Sequence, residues 1–128
     1  MKNIVPLMVK AERSTLALWW FNRVMGWAVP FNQAHGFSVT ALQAQRVCVS
    51  ATHRRRNLNH IRGIHACAIA TIGEYAAGLL LMRQFTPRDF RLIMASLEVQ
   101  YHYQAKQDIA ATAELNLDEV ILQGKLLA

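Results

Sequence analysis

At 128 residues, with 53% hydrophobic and 17% charged side chains, the chain is too apolar for intrinsic disorder and long enough to bury a core as a single domain over residues 1–128. A formal net charge of +6 excludes no fold but favours anionic partners: nucleic acid, acidic membrane surfaces or phosphorylated small molecules. The two cysteines, Cys48 and Cys67, sit in neither metal nor redox spacing, which predicts reduced thiols and a cytoplasmic protein.

The N-terminal stretch carries no signal-peptide pattern, and its first apolar run, LALWWF, stops at Asn22 and Arg23. That is short of the roughly 20 residues needed to span a bilayer, so no membrane insertion is expected. Residues 11–28 place Leu16, Trp19, Trp20, Val24 and Trp27 at helical spacing, predicting an amphipathic N-terminal helix. Core packing is the expected role of Trp19 and Trp20, with lipid anchoring as the alternative. Pro30 and Gly36 then break the helix.

From Phe37 to Thr52, Val47, Val49 and Ala51 alternate with Arg46, Cys48 and Ser50, the pattern of a two-stranded hairpin. A polar, basic loop, HRRRNLNHIRG, leads into an apolar helix over residues 64–83. After a turn at FTPRDF, odd-numbered apolar residues from Ile93 to Tyr103 predict a long half-buried strand. Ile109, Ala111, Ala113 and Leu115 continue the alternation in a fourth strand, and the tail from Asn116 reads as a turn into an unfinished element. A helix apolar all round needs wrapping, so the expected architecture is α+β, an antiparallel sheet around one long central helix.

The helix over residues 64–83 holds a single acid, Glu74, nine residues after His65. At about 100° and 1.5 Å per residue the two lie on opposite faces, roughly 13 Å apart along the axis. One copy of the helix therefore cannot join them in one site, whereas two copies side by side can. The helix start offers unpaired N–H groups and a positive dipole end, suited to an oxyanion. Glu74 in an apolar setting would be a desolvated base or nucleophile, and Asn59 would orient water or a carbonyl. Each has a structural alternative: Glu74 as a buried acid with a fixed partner, His65 as a helix cap, Asn59 as an ordinary loop residue.

The order Asn59, Gly63, His65, Glu74 resembles the helix signature of hotdog-fold acyl-CoA thioesterases of the PaaI-like group. There an Asn precedes a His-Gly pair by six residues, and an acid follows the His by nine. The resemblance runs from PFNQAHGFSV through NHIRGIHACAIATIGEYAAGLL to LEVQYHYQAKQDIAATAEL, roughly residues 28–116. It is strongest to the uncharacterised domain-of-unknown-function family 4442 branch.

The resemblance implies a hotdog fold and an acyl-CoA or acyl-carrier thioester as substrate. It also implies a homodimer or dimer of dimers with sites at the subunit interface. Glu74 would be the catalytic acid, His65 and Asn59 the polarising and orienting residues, and the Ala66 backbone N–H the oxyanion donor. The chain departs from the pattern in having Ala66 where the group has Gly. It also shows about four readable strands where the group has five or six, so the last strands are expected to be missing.

Arg54, Arg55, Arg56, Arg62 and Gly63 border the helix entrance, where guanidinium groups would meet the phosphates of CoA. A solvated basic loop is the alternative. Nucleic acid is disfavoured because no aromatic residue interleaves this loop. Hydrolysis of an acyl thioester without metal or redox cofactor is thus the leading expectation, and a non-catalytic acyl-thioester-binding module is the other.

Overall fold

The computed structural model describes residues 4–85 and 91–115. Four α-helices, α1 (Val5–Arg13), α2 (Thr15–Ala28), α3 (Pro30–His35) and α4 (Ala66–Gln84), accompany three strands, β1 (Ser38–Gln43), β2 (Arg46–Ala51) and β3 (Ile109–Glu114). A short 3-10 turn, Arg55–Asn57, lies between β2 and α4.

The expected N-terminal helix is two helices. Ser14 adopts an extended conformation (φ −146°, ψ 131°) and its hydroxyl accepts from the Ala17 N–H at 3.3 Å, capping α2. Pro6 favours the start of α1, because proline lacks the N–H that a first helical turn leaves unpaired. At the other end of α2, Pro30 does not merely break the helix but starts α3, which closes at Gly36 in the left-handed region (φ 67°).

The face of α2 that packs inward is Phe21 and Met25, not the tryptophans. Trp19 and Trp20 are about half exposed and Trp27 is 82% exposed, so the expected core role fails within this chain. The periodicity was real, but α2 is apolar on both faces, and spacing alone does not say which face meets the sheet.

The hairpin forms as expected. β1 and β2 pair antiparallel with a bulge between Val39 and Ala41, and β2 pairs antiparallel with β3, giving the order β1-β2-β3. Val47, Val49 and Ala51 lie opposite Ala113, Ala111 and Ile109, and these join the core beneath α4. α4 buries Ala68, Ile72, Tyr75, Ala76, Leu79 and Leu80 against β2 and β3. Although α4 is long and apolar enough to cross a membrane, this contact makes it the core helix of the sheet.

α1 and α2 cover β1, and a Glu12–Arg83 ion pair ties α1 to the end of α4. Asn22 joins α2 to β1 by accepting from the Val39 N–H at 2.7 Å and donating to the Val39 carbonyl at 2.9 Å. At the hairpin tip, the Gln84 side chain donates to the Ala44 carbonyl.

One expectation is corrected. The segment containing Ile93–Tyr103 forms no strand; it lies irregular beside α4, with Ile93 75% and Tyr103 92% exposed. Alternation marks a chain that can pair, but a strand exists only when a neighbour completes its ladder, and among the described residues none does. The three described strands form an antiparallel sheet against one face of α4, in keeping with the expected α+β architecture. The tail after Leu115 and the turn over residues 86–90 lie outside the described residues.

Asn22→Leu should lower unfolding free energy by about 2 kcal/mol, since both backbone groups of Val39 lose their partner. Urea denaturation should show the shift in midpoint.

Candidate functional site

The loop from Thr52 to His65 has few apolar side chains to bury, so its own polar groups hold it. The Asn59 Oδ1 accepts from the N–H groups of Ile61 and Gly63, both at 3.0 Å. His53 Nε2 bonds the Arg62 carbonyl at 2.9 Å, where Arg62 takes a left-handed φ of 64°. Gly63 is buried, and a Cβ there would come within 2.7 Å of Gln104 Cγ, so this glycine permits the close approach of the 91–105 segment. The Ile64 N–H donates to the Ala105 carbonyl at 2.7 Å beside that contact.

Asn57, 1% exposed, holds the loop to its surroundings. Its Nδ2 donates to the carbonyls of His35 (3.0 Å) and Thr52 (2.9 Å), and its Oδ1 lies 3.2 Å from His35 Nδ1. Its own carbonyl accepts from the His65 N–H at 2.8 Å. The sequence pattern gave no reason to prefer Asn57 over Asn59; only the fold shows which amide is enclosed.

His65 is the N-cap of α4: its Nδ1 accepts from the Cys67 N–H at 3.0 Å. A neutral ring with Nδ1 so engaged carries its proton on Nε2, which leaves that N–H as the donor. The Ala66 N–H, in the first turn of α4, makes no hydrogen bond among the described residues, while its carbonyl accepts from the Tyr101 hydroxyl at 2.9 Å. Such a free N–H at a helix start suits developing negative charge.

Among the described residues, three cavities border α4. A cleft of about 380 Å³ takes in Asn59, Ala66, Tyr101 and Tyr103. A second, of about 280 Å³, holds His65, Cys67, Arg56 and His35, with His35 stacked on Phe37. The third, a groove of about 310 Å³, is walled by Gly73, Ala77, Gly78, Leu81 and the Leu92–Leu97 stretch, and Glu74 is its one charged residue among those described.

The single chain therefore gathers Asn59 with Ala66, and His65 with Arg56, but leaves Glu74 apart from both. Glu74 is also exposed, not buried as its helix suggested, because α4 turns that face away from the sheet. It makes no hydrogen bond or ion pair among the described residues: Thr71 bonds the Cys67 carbonyl instead, and Tyr75 points into the core, where burial pushes its phenol pKa up. Arg54, Arg55 and Arg62 are exposed and line none of these three cavities, while Arg56 Nη1 donates to the Ala34 carbonyl at 2.9 Å. Tyr101 and Tyr103, read from the sequence only as strand positions, line the cleft beside the helix start. No group of three His, Cys, Asp or Glu able to hold a metal gathers among the described residues.

Residues 17–126 match the family described as domain of unknown function DUF4442. The chain belongs to the DUF4442 family. No curated protein matches it.

Among solved structures it is similar to a Pseudomonas aeruginosa protein of unknown function called a probable thioesterase. That pair shares 23% identity and a TM-score of 0.72, covering 81% of this chain and 69% of the other. It is also similar to a thioesterase family protein from Silicibacter pomeroyi, at 18% identity and TM-score 0.64, covering 72% and 68%. A Shewanella oneidensis protein related to the thioesterase superfamily gives 18% and 0.58, covering 77% and 74%. These likenesses show that this DUF4442 chain has the hotdog fold of thioesterase-superfamily proteins.

Asn57→Ala should destabilise the protein by about 3 kcal/mol, because the Thr52 and His35 carbonyls and the His35 ring lose their shared partner inside the fold. His65→Ala, which removes only a cap, should cost about 1 kcal/mol. Thermal unfolding of the two variants side by side checks that order.

Proposed function

We propose that this protein hydrolyses acyl-CoA or related acyl thioesters at a site shared by two copies of the chain. The observation that carries this reading is Glu74, which among the described residues is an unpaired carboxylate and the one charged residue of its groove, on the face of α4 turned away from the sheet. A carboxylate left without a partner there is available to a water or a carbonyl, and a second subunit laid over the groove would dry it. The exposed apolar side chains of Ile93, Met94 and Leu97 at its wall are suited to burial by that second copy.

In this reading Glu74 of one subunit faces the α4 start of the other. The thioester carbonyl oxygen accepts from the Ala66 N–H, with His65 Nε2–H as a further donor. Glu74 removes a proton from water as its oxygen bonds the carbonyl carbon. The resulting oxyanion collapses, the C–S bond breaks, and CoA leaves as a thiolate. Neither oxidant nor reductant enters, so CoA serves as substrate alone. Asn59 contributes by holding the loop, its Oδ1 being engaged by backbone, and Nδ2 remains for the substrate. The exposed arginines of the 54–62 loop are available to the phosphates of CoA. A cytoplasmic location fits this chemistry and belongs to the same proposal.

One observation favours a second reading. Both Asn59 Oδ1 and His65 Nδ1 are committed to local backbone N–H groups, as a binding module without turnover would also have them.

Thiol release from short, medium, aromatic and long acyl-CoAs separates the two. Glu74→Gln should leave stability within about 0.5 kcal/mol, the residue being exposed and unpaired. It should reduce kcat by about 10²–10⁴ if Glu74 is the base. Unchanged acyl-CoA binding with no turnover in either form would instead establish the binding module.

A further inference from the structure

Between Glu12 and Glu74 the chain contains seven arginines and not one aspartate or glutamate. All seven arginines are exposed, and among the described residues only Arg46 of these is paired with a carboxylate, Glu114, at 3.6 Å. α2 and α3 lie inside this acid-free stretch. At about 100° per residue, Leu16, Trp19, Trp20, Val24 and Trp27 fall on one side of α2, opposite the buried Phe21 and Met25. Phe31, just beyond on α3, is exposed as well.

The one charge on α2, Arg23, lies on this same apolar side, 5.7 Å from the Trp19 ring centre. Arg13, exposed at the end of α1, precedes Leu16 by three residues in sequence. Arg56 stands at the end of the stripe, fixed to the α3 carbonyl of Ala34 and sharing a cavity with Phe31.

We propose that this face adsorbs to an anionic phospholipid surface, with α2 lying in the plane of the interface. Tryptophan combines an apolar ring with an N–H donor and is suited to the headgroup boundary, and a helix with such a face seats it at the acyl boundary. Arg23 within the stripe and Arg56 at its end then meet lipid phosphates. Charge decides against a second copy as occupant. A two-fold contact of this face with itself would oppose arginines to arginines and supply no carboxylate, since none exists from residue 13 to 73. The inference shares Arg56 with the acyl-thioester reading but does not rest on it.

The chain's three tryptophans all lie on this face, so the emission of the unmodified protein reports on it alone. The test is flotation of the purified full-length chain with vesicles of phosphatidylcholine, alone or mixed with phosphatidylglycerol. Tryptophan emission is followed in parallel with brominated acyl chains as quencher. Binding should require phosphatidylglycerol, weaken with added salt, and bring a blue shift and quenching. The Trp20→Ser, Trp27→Ser double variant should keep its circular dichroism and lose about tenfold in affinity. Arg23→Gln should lose about fivefold. Absence of quenching in the unmodified protein would overturn the proposal, as would equal binding to uncharged vesicles. So would a lipid-free oligomer that the tryptophan variant dissociates, which would assign the face to a second copy.

Discussion

Asn57 joins the ends of three elements: its side-chain amide holds the exit of β2 at Thr52 and the end of α3 at His35, and its backbone carbonyl holds the start of α4 at His65. Enclosed where water cannot replace those bonds, it fixes where α4 begins and hence which N–H groups its first turn presents. The cleft with Ala66 and the cavity with His65 are both defined by that placement. The basic loop can then be irregular without being loose, because both ends are tied to the same node.

α4 supports two neighbouring tasks with its two faces. One face, rich in Ile, Leu and Ala, rests on the sheet. The other is lined with glycine and alanine and carries Glu74 at its groove. Small side chains bring the helix backbone near whatever covers that face, which suits close contact with an opposing helix or a slender acyl chain. A groove of this form gains more from being covered than a bulky surface would, since an approaching partner meets backbone as well as side chains.

How much of this could be read from the sequence follows from the kind of signal each feature carries. The hairpin, α4 and β3 were legible because periodicity and turn residues are local properties, and here local preference and tertiary context agree. The hotdog fold was legible through the resemblance to hotdog thioesterases that Asn59, Gly63, His65 and Glu74 carry. The orientation of α2 was not, because a helix apolar on both sides gives no internal reference for inside and outside, and Trp19 and Phe21 look equally suited to a core. The strand at 93–103 failed for a different reason: pairing depends on a neighbour that the segment's own residues do not encode. Asn57 was overlooked because enclosure of a polar residue belongs to the assembled fold, whereas Asn59, two positions on, carried the motif. His65 combined a cap and a family position in one residue, and sequence could not separate the two roles.

The closed bonding of the Thr52–His65 loop has a consequence for its arginines. With Asn59 engaging Ile61 and Gly63, and His53 engaging Arg62, the backbone conformation is set when the protein folds. An incoming anion has only side-chain rotamers left to order, each a modest entropic cost compared with that of fixing main chain as well. The loop thus works as a rigid mount with movable charged arms: it can adapt to differently shaped anions without giving up the alignment of the helix behind it.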